Sequence, residues 1–122
     1  MIKMMNEKEL AWLKSGKGRG HRWLILRDLV ALLAIKAMSI MMIQDCMLKL
    51  RGLTRRKVVE LMDDLERARA IKQVSGDVNG VILHGWAATE NGVSYWLGSR
   101  TAIPAHIARV ASTIQYAVPL EA

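Results

Sequence analysis

The stretch from Ile71 to Thr89, IKQVSGDVNGVILHGWAAT, constrains the fold more than any other part of the chain. Its two β-branched runs, 71–75 and 81–86, flank GDVNG, a segment rich in turn formers, and together they read as one antiparallel hairpin. A lone two-stranded hairpin is not stable in water, so this one must lie against the rest of the molecule. The rest of the sequence reads as helix.

Asn6 with Glu9 three residues later resembles a capping box and predicts a short helix over about 7–14. SGKGRG (15–20) ends it, because three glycines within five residues cannot hold a helix. From about His21 to Ala37 a long helix is expected, with Leu26, Leu29, Val30 and Leu33 recurring at three and four. Ser39 is placed to cap a second helix over about 40–50, closed at Arg51-Gly52, where glycine suits a left-handed residue. Thr54 is placed to cap a third, in which Val58, Leu61, Met62 and Leu65 form the apolar stripe. After the hairpin, Thr89 caps a short helix, ENGVSYWL, stopped at Gly98. Pro104 suits the first residue of a last helix to about Ala117, closed by Pro119. The expected fold class is therefore mainly α with a small β-hairpin.

Two segments, KLRGLTRRKVVELMDDLERARAIKQV and GWAATENGVSYW, carry a family resemblance. The first is similar to a turn and recognition helix leading into the first strand of a wing. The second is similar to a closing pattern of final strand, threonine, two polar residues and glycine. On these segments residues 22–97, about three-fifths of the chain, resemble a winged helix-turn-helix DNA-binding domain of the MarR/ArsR-like kind found in bacterial and phage regulators. The resemblance implies a winged helix-turn-helix over 21–98, with extra N- and C-terminal helices in 1–20 and 99–122. Two departures stand out. The second helix region is rich in methionine (Met38, Met41, Met42, Met47), and Leu48 stands where such motifs usually carry a small residue, which would widen the helix crossing.

In the third helix Val58, Leu61, Met62 and Leu65 face inward, and Arg56, Glu60, Asp63 and Arg67 face outward. Arg56 with Glu60 and Asp63 with Arg67 are i, i+4 pairs that can bridge and cancel, leaving the middle of the helix near neutral. Its first turn is different: Thr54, Arg55, Arg56 and Lys57 add side-chain charge to the positive end of the helix dipole. If it binds double-stranded DNA, it does so by its tip, with base contacts from Arg55 and Arg56. Phosphate contacts would come from Lys57, from Lys72 on the wing, and from Lys17, Arg19 and Arg22 in and beside the glycine-rich arm.

The charge balance agrees. Of the formal net charge of +7, residues 1–36 contribute +5 (eight Lys/Arg against three Asp/Glu), and residues 71–122 contribute none (three against three). A field concentrated in the N-terminal part suits a polyanionic partner. The most apolar stretch, 29–43, is fifteen residues with Lys36 in its middle, short of the roughly 20 needed to span a bilayer, so no membrane role is expected. The opening MIKMMNEKE turns polar before an apolar leader region can form, and the single cysteine, Cys46, fits a reducing, cytoplasmic setting.

Catalytic and cofactor chemistry find little support. His21, His84 and His106 are far apart, a single cysteine excludes the usual thiolate zinc sites, and GKGRG has neither a preceding strand nor the Lys-Ser/Thr of a phosphate loop. Neither an enzyme nor a metal or cofactor binder is expected. Trp23, Trp86 and Trp96 read as core or interface residues. The last helix carries a stripe, Ile103, Ile107, Val110 and Ile114, on a domain that already has its core; it calls for a cover, either the N-terminal helix or the same helix of a second chain, and a homodimer is expected. Two functions stay open: a small DNA-binding transcriptional regulator, and a winged-helix adaptor that binds protein and not DNA.

Overall fold

The computed structural model describes residues 20–114 and residue 118, with side chains from Arg22 onward. The helix expected over 7–14, Trp12, Lys17, Arg19 and residues 115–117 of the last expected helix lie outside the described residues. The described chain is mainly helical with a small antiparallel hairpin. Its order is α1 (Gly20–Ile35), α2 (Ile40–Arg51), α3 (Arg55–Arg67), β1 (Ile71–Val78), β2 (Val81–Ala88), α4 (Glu90–Trp96), a 3-10 turn (Arg100–Ala102) and α5 (Ala105–Ala111).

The middle of α1, residues 28–33, is buried all round: Leu29, Val30, Ala31 and Leu32 are wholly inaccessible and form successive faces of one turn. The other elements gather on it, with Ile43, Met47, Val58, Leu61, Leu65, Ile71 and Ile107 completing the main core, beside a smaller cluster of Ala37, Ala87 and Val118. Each fully buried Leu, Ile, Met or Val contributes about 1.5–3 kcal/mol. Cys46 belongs to this core, and its burial pushes the thiol pKa above the ordinary value, against the smaller pull of Lys49.

Asp28, which the sequence places at the edge of the apolar run, instead lies wholly inside the structure. Arg51 Nε donates to its Oδ2 at 2.7 Å and Arg27 Nη2 to its Oδ1 at 3.1 Å. Because Arg51 is the last residue of α2, this carboxylate ties the end of α2 to the middle of α1.

Ser39 caps α2, accepting from the Met42 amide, and Gly52 closes it at φ +65°, its amide returned to the Leu48 carbonyl. Leu48 is 59% exposed, so most of its side chain faces away from the packed helices. Met38 is not part of α2. It precedes the helix as an extended residue, its amide donating to the Trp86 carbonyl at 3.1 Å and its carbonyl accepting from the Trp86 amide at 2.8 Å.

The hairpin is longer than its β-branched runs. Pairing extends from Ile71 opposite Ala88 to Val78 opposite Val81, so only Asn79 and Gly80 form the loop. Both have positive φ (54° and 84°), the conformation of a two-residue type I′ turn, and Asp77 Oδ1 accepts from the Gly80 amide. Gly76, Asp77 and Val78, read in sequence as turn, are strand because Asn-Gly alone suffices to reverse the chain.

The C-terminal stripe packs on its own chain. Ile107 and Ala111 are wholly buried in the same core as α1, and Ile103, Val110 and Ile114 pack against it partly buried. Lys36 Nζ donates to the Ile114 carbonyl at 3.1 Å, and the Val118 amide to the Ala37 carbonyl at 2.8 Å. Ile107 is thus covered by its own chain, whereas Ile103, Val110 and Ile114 keep part of their surface exposed. Pro104 is also the N-cap of α5 and not its first residue.

Candidate nucleic-acid interface

The turn after α2 sets α3 with its first residues outward. Thr54, at φ −70° and ψ 157°, caps α3 by accepting from the Lys57 amide at 3.2 Å. Gln44 on α2 donates to the Arg55 carbonyl at 3.4 Å, a contact between the helices that sequence reading missed. Val58, Leu61, Met62 and Leu65 are buried, so the helix has the phase expected from its pattern. As a result Thr54, Arg55, Arg56 and Lys57 are all exposed at one tip, and the first turn contains no acid. The Arg56 side chain is 91% exposed.

Further along α3 the acids are engaged. Glu60 Oε1 lies 3.6 Å from Arg56 Nε, and its Oε2 lies 3.9 Å from Lys57 Nζ. Asp63 is paired with Arg67 one turn on. Asp64 accepts from Arg22 Nη2 at 2.6 Å, a pair between α3 and the start of α1 that has no signal in local sequence spacing. Beside these residues Ile40, Val59, Met62, Asp63, Glu66 and Trp86 line a mainly apolar groove between α3 and β2.

The residues singled out in sequence therefore fall into two groups. Thr54, Arg55, Arg56 and Lys57 form one cationic tip. Arg22 lies against Asp64, nine residues farther along the helix, or about 13 Å along its axis. Lys72 is exposed on β1 at the base of the hairpin, which departs from the opposite end of α3. Lys17 and Arg19 lie outside the described residues.

Below α3 the hairpin is locked to the helices through Thr89. Its Oγ1 accepts from the Gly92 amide at 3.0 Å and donates to the Arg69 carbonyl at 2.6 Å, while its amide donates to the Ala70 carbonyl at 3.0 Å. One residue thus caps α4 and fastens it to the corner between α3 and β1. The aromatic residues pack as expected: Trp96 is buried, with its ring centroid 5.6 Å from that of half-buried Trp23.

Among the described residues no group of three or more His, Cys, Asp or Glu could hold a metal ion, and no helix is long and apolar enough to cross a membrane. His84 and His106 are both exposed and on separate elements. Comparison with protein-family models, curated proteins and solved structures finds no match to this chain.

Proposed function

We propose that the chain is a winged helix-turn-helix regulator that binds duplex DNA through the tip of α3. The observation that carries this reading is the exposed, acid-free first turn of α3, where Arg55, Arg56 and Lys57 stand at the positive end of a capped helix. The order of three helices, hairpin and short helix supports it, as does a positive charge concentrated away from the C-terminal half. In this reading Arg55 and Arg56 address base edges in the major groove, with Arg56 offering a guanidinium fork suited to guanine O6 and N7. Lys57 and the arm residues Lys17 and Arg19 meet phosphates and carry no sequence information. DNA-bound copies would be paired on two half-sites, by a surface other than the buried Ile107 face.

The test is duplex binding across a salt series. With about four phosphates neutralised per protomer, log affinity should fall against log salt with a slope of about −3.6. Arg56→Ala should weaken the preferred site by about 1–3 kcal/mol and relax its preference, whereas Lys17→Ala and Arg19→Ala should weaken all duplexes alike. Equal binding by Arg56→Ala and wild type at every salt concentration would end the DNA-reading role.

One observation favours the adaptor reading. Met41, Leu48, Val59, Val81 and Ile82 are large apolar residues exposed on α2, α3 and the hairpin, and a hairpin whose tip offers Val81 and Ile82 beside Asp77 is poorly suited to phosphates. An adaptor would bind duplex weakly at physiological salt and be indifferent to Arg56.

A further inference from the structure

Building on the DNA-binding reading above, we infer that Glu60 is a base-reading residue that selects cytosine. Glu60 lies one turn beyond Arg56 on the outward face of α3, about 6 Å along the axis, and its side chain is 55% exposed. The two side chains are neighbours, with Arg56 Nε 3.6 Å from Glu60 Oε1, so a groove edge reached by Arg56 from the helix tip is also within reach of Glu60.

The ion pairs that hold Glu60 in the free protein are loose. At 3.6 Å from Arg56 Nε and 3.9 Å from Lys57 Nζ, both separations exceed hydrogen-bond length, and neither engages the terminal nitrogens of the Arg56 fork. Arg56 and Lys57 can therefore turn to DNA without breaking a strong bond, and they leave the carboxylate facing the groove. By contrast, Asp64 is held by Arg22 at hydrogen-bond distance, and Asp63 is paired with Arg67. Glu60 is the acid of α3 nearest the tip and the one whose partners the proposed contact removes.

An ionised carboxylate only accepts hydrogen bonds, and most major-groove edges also accept. Guanine presents O6 and N7, thymine O4 and a methyl group, and adenine places N7 beside its one donor. Cytosine alone offers a donor, N4–H, with no adjacent acceptor on its own edge. A carboxylate facing the groove is therefore repelled by guanine and thymine, only partly matched by adenine, and satisfied by cytosine. Paired with Arg56 on guanine, Glu60 makes the half-site one that carries cytosine close to guanine.

Selection from a pool of duplexes with a randomised central segment tests this, using wild type, Glu60→Gln, Glu60→Ala and Arg56→Ala. Wild type should enrich cytosine near a guanine whose preference disappears in Arg56→Ala. Glu60→Gln should switch that cytosine to adenine, which glutamine reads through N6 and N7, and Glu60→Ala should leave the position indifferent. The preference at that position should change by about tenfold. A wild-type motif preserved in Glu60→Gln and Glu60→Ala would overturn the role of Glu60 and leave the DNA-binding reading intact. Wild type enriching no sequence at all would overturn both. Thermal melts of the four proteins should agree closely, because Glu60 and Arg56 are outside the core.

Discussion

Gly92 faces the backbone of Ala70 so closely that a β-carbon on residue 92 would stand 2.2 Å from the Ala70 carbonyl oxygen and 2.9 Å from its carbonyl carbon and Cα. The obstacle is main chain, at the corner where α3 passes into β1, and it has no rotamer through which to yield. Gly92 is therefore required for closeness of approach, not for backbone conformation. Gly92→Ala should cost about 3 kcal/mol, as overpacking a rigid contact does. Gly52→Ala, at positive φ but with open space around the new methyl, should cost about 1–2 kcal/mol. Urea denaturation of both variants checks the order. If Gly52→Ala proved the costlier, the close approach at Gly92 would not be limiting stability.

The buried carboxylate of Asp28 offers a second test. It is shared by Arg27 and Arg51, and removing it leaves two cations in or near the core without their partner. Asp28→Ala should cost about 3–5 kcal/mol, the range for breaking one side of a buried pair. The triple change Asp28→Leu, Arg27→Leu, Arg51→Met, which removes every charge together, should recover much of that loss. A triple variant no more stable than Asp28→Ala would show that the polar network itself, and not its charge balance, holds α1 to α2.

Much of this fold was legible in local pattern. The stripe Val58, Leu61, Met62, Leu65, the caps at Ser39, Thr54 and Thr89, and the hairpin all follow rules that act within a few residues, and each is found where the pattern placed it, save that the hairpin's turn is Asn79-Gly80 alone. What escaped depended on which element packs on which. Nothing near Asp28 in sequence announces Arg51, twenty-three residues away, although an acid flanked by Ile25, Leu29 and Leu32 on a helix was a sign of a buried partner. The Met38–Trp86 bridge and the Arg22–Asp64 pair were hidden for the same reason. The cationic tip at Arg55 to Lys57 could be read because a single helix supplies all of it, whereas Lys72 and Arg22 are positioned by tertiary structure and fall elsewhere.

Ile107 shows what periodicity leaves open. A stripe at helical spacing says that a face is covered, but not by which chain, and here the cover is α1 and α2 of the same molecule. Ile107→Ala should therefore cost about 2–5 kcal/mol, with the same denaturation midpoint at protein concentrations tenfold apart. Ile107→Asp should prevent folding altogether. A loss that shrinks as the protein is concentrated would return this residue to an intersubunit contact.

The pair between Arg22 and Asp64 bears on the proposed DNA contact. Arg22 sits at the start of α1, next to the segment that holds Lys17 and Arg19, and its guanidinium is held by an acid on α3 at 2.6 Å. Both side chains are about half exposed, 59% and 46%, so the pair adds little to stability but cancels one cation toward a polyanion. Asp64→Asn keeps the shape and frees that cation. Its salt slope should steepen by about 0.9 per protomer, and its affinity should rise for every duplex alike, without any change of preferred sequence. Arg22→Ala should conversely leave the wild-type slope almost unchanged, because its charge is already neutralised. Fluorescence anisotropy on one preferred and one random duplex, from low to physiological salt, reads both quantities. If Arg22→Ala flattened the slope by a full unit, Arg22 would be leaving Asp64 to reach a phosphate on binding, and the pair would be a resting state of Arg22 instead of its fixed position.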